Sequence, residues 1–418
     1  MVNDSAATPN HELPAERMSA CLDTPQIEYR RLALGVYLPG FLRMFGAALC
    51  STYVPLYVAD LGASNAAIGV VLGAQSAGLL AADLPAGLLV SRFGTRRAMA
   101  IGLLGMGSSF ALAGSVHGVF LLGVCLFVAG FCSSLVQISQ LTIMRHAMPD
   151  HLRGRALALL GGNIRLARVF APFLGGLLVQ AAGYRSVLWC YAGLLVSGCA
   201  LFVRLGPHRQ VAATPPREAV LAAVRRLVRE NGRLLIPAGG TLLMLAVLRT
   251  SRNMLLPLWG YKMALAPATI GMVVSAGAAV DTFLFPLSGI VSDRNGRKWS
   301  LACNMGIMAL GLLTLATFGS TLTGFVAAAV VSGIGNGLGA GINMTVGSDL
   351  APKGRDTGPF LGLWRAITDT GGMLGPLAVG GIAQALALGP AAIVIGLGGL
   401  GGVALMGRFM PETKGFRR

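Results

Sequence analysis

Arg165 and Arg168 lie three residues apart in "GGNIRLARVFAPFLGG". They sit inside an apolar stretch, about 156 to 182, that is long enough to cross a bilayer. On a helix that spacing puts both on one face. A guanidinium at bilayer depth costs several kcal/mol, roughly 3 by insertion scales, and cannot escape by losing its proton. Other charges share this placement: Arg43, Arg249, Arg252 and Arg365, and against them Asp83, Asp281 and Asp369. No glutamate falls in such a stretch. Guanidinium groups bind carboxylate or phosphate oxygens in a bidentate fork. Buried aspartates can take up and release protons, because burial favours the neutral carboxyl and a nearby arginine the charged one.

Depth separates these residues. At about 1.5 Å per residue, Arg165, Arg168, Asp281 and Asp369 are roughly 15–20 Å from the nearer helix ends, near the midplane. Arg43 is comparably deep and Asp83 shallower, at about 12 Å. Arg252 is expected near the opposite surface, where it could snorkel. Arg365 and Asp369, four apart, can pair with each other. Asp83 can act in coupling or only brace the neighbouring loop. Arg165 and Arg168 have no acid on their own helix, and Asp281 has no arginine on its own. Six arginines against three aspartates leave an excess of three positive charges. An anionic substrate held by Arg43, Arg165, Arg168, Arg249 and Arg365 would offset it; a water-filled cavity is the competing reading. Asp83, Asp281 and Asp369 are the candidates for proton coupling, Asp281 first.

The elements that must position these residues follow from composition. The 418 residues are 54% hydrophobic and 12% charged, with mean hydropathy +0.70. A soluble chain carries about 25% charged residues. The 59 glycines suit helices that pack closely in a membrane. Cutting at polar punctuation gives about twelve apolar stretches, from 33–58 to 389–409, with the seventh at 234–261, the tenth at 323–348 and the eleventh at 357–386. The chain therefore reads as an all-α polytopic membrane protein. Its first 31 residues form a polar tail without an apolar signal core.

The net charge of +17 collects in alternate loops: Arg92, Arg96 and Arg97; Arg145, Arg153 and Arg155; Arg294, Arg297 and Lys298; Lys353 and Arg355. The opposite loops hold Arg185 and Lys262. That asymmetry argues for topology rather than nucleic acid and puts both termini in the cytoplasm. A linker, 206–232, contains "REAVLAAVRRLVRE", an amphipathic basic helix expected along anionic lipid. The seven cysteines include no CxxC pair, so neither a disulfide framework nor a zinc site is expected. No nucleophile–base set, metal cluster or phosphate-binding loop argues for an enzyme or a cofactor. The glycine-rich "GIGNGLGAG" at 333–341 is expected to serve packing within one helix.

The halves resemble each other at an offset near 202 residues. "GLLVSRFGTRR" at 87–97 matches "GIVSDRNGRK" at 289–298, and "APFLGG" at 171–176 matches "GPLAVGG" at 375–381. Such duplication implies two six-helix bundles, 32–205 and 233–410, about a pseudo-two-fold axis along the membrane normal. The tail 411–418 follows. The offset pairs Arg165 with Asp369, so an ion pair between the fifth and eleventh stretches is expected.

These motifs resemble the major facilitator superfamily, whose G-x-x-x-D-R-x-G-R-R/K loop recurs in both halves. The second copy keeps Gly289, Asp293, Arg294, Gly296, Arg297 and Lys298. The first keeps Gly87, Arg92, Gly94, Arg96 and Arg97 but has Ser91 in place of the acid. The loop glycines allow tight turns and close packing. The acid can pair with arginines or cap a helix, a latch that favours the outward-open state; the same residues could instead only set topology. Ser91 predicts a weaker first latch. The family's G-P-x-x-G-G exporter signature survives as Pro172, Gly175 and Gly176, and more fully as Gly375, Pro376, Gly380 and Gly381. The exporter arginine of the fourth helix is missing near Leu126. The resemblance implies a twelve-helix, proton-coupled secondary transporter, a monomer of the bacterial inner membrane or a membrane derived from it. Its expected cargo is a small anionic solute or chelate, with a lean to export. A multidrug efflux pump and a non-transporting sensor or assembly protein are the alternatives.

Overall fold

The computed structural model describes residues 33–147, 150–206, 217–352, 357–410 and 412–413; side chains at 33, 84, 145–160, 217–224, 230, 231, 233, 234 and 358 are also outside the description. The tail 1–31, Arg209, Lys353 and Arg355 therefore lie outside the described residues, as do the side chains of Arg145, Arg153, Arg155 and Arg217. Among the described residues every regular element is helical.

The N-terminal half contains α1 (Leu38–Asp60, entered through a π-turn at Ala33–Tyr37), α2 (Asn65–Phe93), α3 (Thr95–Ser115), α4 (Val119–Ala147), α5 (Asp150–Ala182) and α6 (Arg185–Leu205). The C-terminal half contains α7 (Arg217–Lys262), α8 (Pro267–Asn295), α9 (Arg297–Phe318), α10 (Leu322–Leu338), α11 (Ile342–Leu350), α12 (Thr357–Ala385) and α13 (Leu388–Phe409). Ten spans, one of them α10 with α11, are long and apolar enough to cross a membrane. With α7 and α12, which run through the same bundle, the total is twelve.

Two differences from the sequence expectation have clear causes. The basic linker helix is no separate element: Arg217 to Lys262 is one helix that continues through Gly232 and Pro237, since packing in the bundle overrides local propensity. Leu227 anchors its basic part to the core at 1% exposure. The tenth span is broken after Leu338, and Gly341 adopts φ +85°. Gly333 and Gly337 do serve packing, against Gly277 and Asp281. Beyond them three carbonyls at the break find partners on three other helices. Ser300 donates to Leu338 O (3.3 Å), Arg249 to Gly339 O (3.3 Å) and Ser288 to Ala340 O (3.0 Å). Interrupted backbone at membrane depth is tolerated only with such satisfaction.

The halves meet through α2 with α12, α5 with α8 and α1 with α7. One end of this interface, away from the loop motifs, is packed backbone to backbone. Asn65 donates to Ala383 O (3.2 Å), and Tyr53 to Pro172 O (2.6 Å) and Pro267 O (3.2 Å). A Cβ on Gly176 would come within 2.6 Å of Ala268 Cα and Pro267 O, and one on Gly380 within 2.8 Å of Gly69 Cα. Pro376 O abuts Gly69 in the same way, while Gly175 seats Tyr53 and Gly375 seats Thr250. Pro172 and Gly176 of one signature and Pro376 and Gly380 of the other thus face the opposite half at the closed end of the interface, while Gly175 and Gly375 pack within their own halves.

Candidate functional site

At the midplane α5, α7, α8, α10 and α1 enclose a cavity of about 100 Å³ that opens in part to solvent. Three arginines line it: Arg168 from α5, and Arg249 and Arg252 from α7. Arg249 and Arg252, three apart, share one face of α7. Asp281 and Asn336 also line the wall. Arg165 Nη1 donates to Asp281 Oδ1 at 3.1 Å, and Asn336 Nδ2 to Asp281 Oδ2 at 2.6 Å. The Arg165 guanidinium also lies over the Phe285 ring, 3.6 Å from its centre, a cation–π contact. Asp281 is thus committed on both oxygens, and three guanidinium groups face one hollow.

Arg165 pairs with Asp281, not with Asp369. The repeat offset relates positions by symmetry, but symmetry-related residues on α5 and α12 face different partner helices: α5 packs on α8 and α12 on α2. Arg252 does not snorkel. It is 8% exposed, and its Nε has no hydrogen-bond partner. It lies ten residues before the end of α7, about 15 Å deep, so lying on the Arg249 face decided its position. Asn336 was concealed in the glycine-rich run of α10, and only its polarity there could have marked it.

Arg43 and Arg365 do not line this cavity. They belong to a second polar cluster among α1, α2, α4 and α12. Arg365 Nη2 donates to Gln137 Oε1 (2.9 Å), its Nε to Asp369 Oδ2 (3.3 Å), and Asp83 Oδ1 lies 3.8 Å from it. Ser134 donates to Asp83 Oδ1 at 3.0 Å. Asp83 and Asp369, from opposite halves, thus both approach the Arg365 guanidinium. Asp83 therefore faces the interface rather than the loop motif. Arg43 is 6% exposed and donates to Gln140 (3.4 Å).

The loop motif has its own geometry. Gly94 and Gly296 turn the chain with φ +79° and +97°, where a side chain would be strained. Gly87 and Gly289, by contrast, have open space around their would-be Cβ atoms, so close packing is not their role in this conformation. In the second copy Arg297 binds Asp293 (2.7 Å) and Asp349 of α11 (3.0 Å). The cap on α9 comes from Glu412, which accepts from the backbone N–H of Arg297 (2.8 Å) and Lys298 (3.1 Å); a carboxylate at a helix N-terminus is favoured by the dipole. Glu412 was not foreseen from the sequence, because helix caps usually come from adjacent residues. In the first copy Ser91 donates to Leu88 O (2.8 Å) within its own helix, and Arg92 lies by Phe93. Arg294 extends from the last turn of α8.

These contacts predict an order of effects. Asp293→Asn should lower the transport rate a few-fold, since its carboxylate is 73% exposed and exposed pairs contribute about 1 kcal/mol or less. Ser91→Ala should leave it unchanged. Transport by reconstituted variants checks this; the reverse order would overturn the latch assignment.

Comparisons agree with this architecture. Multidrug resistance protein MdtL of Shigella flexneri serotype 5b (strain 8401) is 26% identical over 301 residues, covering 70% of this chain and 75% of the relative. Among solved structures, a POT family transporter in complex with a thioalcohol conjugated peptide superposes with a TM-score of 0.75 at 12% identity, covering 90% of this chain and 95% of that one. A D-xylose-proton symporter does so with 0.73 at 16% identity, covering 93% and 99%. The family model for the Major Facilitator Superfamily matches residues 36–248 and 241–417, and with two six-helix halves closed around a midplane cavity, this chain belongs to that superfamily.

Proposed function

We propose that this secondary transporter moves a small anionic solute, bound between Arg168, Arg249 and Arg252, and couples that movement to protons by alternating access. The observation that carries the reading is the charge of the cavity: three guanidinium groups line it, and the one carboxylate among its described lining residues is already held by Arg165 and Asn336. Buried charge without a counter-charge is costly, so the site favours a ligand that supplies one. Asp83 and Asp369, brought from opposite halves to the same Arg365, are suited to take up and release a proton, because two carboxylates there share one guanidinium. Asp281, tied to Arg165, acts as the counter-ion of the substrate site.

The charge of the basic loops supports a cytoplasmic location for the termini and for the exposed Arg225, Arg226 and Arg229 of α7, beside anionic lipid of a bacterial inner membrane or one derived from it. The closed end then faces outward. One chain supplies both halves of the cavity, so a monomer suffices. A second reading, multidrug efflux, is supported by the name of the Shigella relative. The cavity's charge argues against cationic drugs.

Proteoliposomes enclosing a pH-sensitive dye test the proposal. Adding members of a panel of small organic anions should move protons with wild type, and Arg168→Gln should abolish this movement. Asp83→Asn and Asp369→Asn should flatten the dependence of anion uptake on an imposed pH gradient while leaving anion binding intact. If uptake by both variants still follows the gradient, coupling lies elsewhere; if only apolar cations move protons, the second reading replaces the first.

A further inference from the structure

We infer that the cavity takes a multiply charged anion carrying a compact apolar body, with two or more negative charges toward the middle of the membrane and the apolar body toward the closed end. This rests on the anionic reading above and goes beyond it in charge number, shape and orientation. Arg168, Arg249 and Arg252 are three cationic groups, and within the described lining Asp281 is the sole fixed anion. Arg165 already neutralises that anion at 3.1 Å. A monoanion would leave two guanidinium groups uncompensated. The Nε atoms of Arg249 and Arg252 are buried without partners, and Arg252 is 8% exposed. Each guanidinium offers a planar fork matched to carboxylate or phosphate oxygens.

Orientation follows from residue order along three helices. On α5 the lining runs from Arg168 to Pro172, on α7 from Arg249 and Arg252 to Leu256, and on α8, read in reverse, from Asp281 to Val274. Each series passes from charged to apolar toward the end closed by Tyr53, Pro172 and Pro267, while α1 adds Ser51 and Thr52 there, with both hydroxyls donated to Ala48 O. The cavity thus has a cationic base and a roof of apolar side chains with two internally bonded hydroxyls. A small hydrophilic dianion would satisfy the base alone, and an apolar monoanion mainly the roof.

The test uses the purified full-length chain in neutral detergent and follows thermal unfolding with a panel of probes. These are phenylsuccinate (apolar dianion), succinate (polar dianion), 3-phenylpropionate (apolar monoanion) and phenethylammonium (apolar cation). The expected result is the largest rise in Tm with phenylsuccinate, corresponding to a Kd at least tenfold lower than for either other anion. Arg252→Gln should weaken that binding at least tenfold. Arg252→Lys, which keeps charge without the fork, should weaken it less, and Arg185→Gln at the opposite surface should not change it. The Lys variant keeps the test decisive if the Gln variant fails to fold. Equal affinity for 3-phenylpropionate and phenylsuccinate would overturn the multiply charged inference while the anionic reading stands. Stabilisation by phenethylammonium alone would overturn both. No shift with any probe would also overturn the inference.

Discussion

Asp281→Asn is expected to destabilise the carrier by about 3–5 kcal/mol, the range for removing one partner of a buried ion pair, and Arg165→Gln by distinctly less. A simple ion pair would give comparable losses from either side. Here the surroundings are unequal. Removing the carboxylate leaves Arg165 and the three cavity arginines with no fixed counter-charge among the described lining. Removing Arg165 leaves Asp281 hydrogen-bonded to Asn336 at 2.6 Å and facing a cavity that remains strongly cationic. Thermal unfolding of the two purified variants measures the difference. Phenylsuccinate should restore a larger share of lost stability to Asp281→Asn than to Arg165→Gln, because an added anion replaces the missing charge. Equal losses without differential rescue would show that the arginines are neutralised individually, and the cavity's excess charge would cease to be an argument for an anionic cargo.

The class and the duplication were legible in the sequence because both depend on local composition: apolar length, loop charge and repeated motifs are visible without knowing what touches what. The start of α12 at Thr357 and the end of α5 at Ala182 fall where the polarity changes. Pairing across the halves was not legible in that way. The repeat offset relates Arg165 to Asp369, but a rotation axis maps an interface onto its counterpart, and each counterpart is filled by its own partner. Asp281 and Asp83 take those places because α5 meets α8 and α12 meets α2. Distance from a helix end misplaces Arg252, because a helix packed inside a bundle offers its inner face no route to the surface. The break at Gly339–Gly341 was concealed by composition, since glycine serves close packing and chain reversal alike; only Gly341, at φ +85°, requires the second. Glu412 is the extreme case, a tail residue whose role depends on where α9 begins, 115 positions away.

Gly176→Val and Gly380→Val should each abolish transport by preventing the closed end from forming, and should do so without unfolding the halves. At both positions the obstacle to a larger residue is backbone on the opposite half: Ala268 Cα and Pro267 O, both 2.6 Å from a Cβ at 176, and Gly69 Cα, 2.8 Å from one at 380. Backbone in packed helices cannot swing aside as a side-chain tip can. The halves must separate instead, and overpacking of this kind costs about 1–3 kcal/mol. Charged against one conformation only, that energy shifts a two-state equilibrium by roughly 5- to 150-fold toward the form open at this end. The shift is readable without transport. With native cysteines replaced, Ser275→Cys, whose native hydroxyl accepts from the Phe173 N–H at 3.1 Å in the closed interface, should react slowly with a membrane-impermeant maleimide added from outside. Adding Gly176→Val should raise that rate at least fivefold. Gly87→Ala, at a motif glycine with open space around its Cβ, should leave the rate unchanged. Unaltered labelling with transport intact in Gly176→Val would mean that the α5–α8 contact is not one of the alternating barriers. The closed end would then be a fixed seam, and access would have to change through the helix pairs that remain.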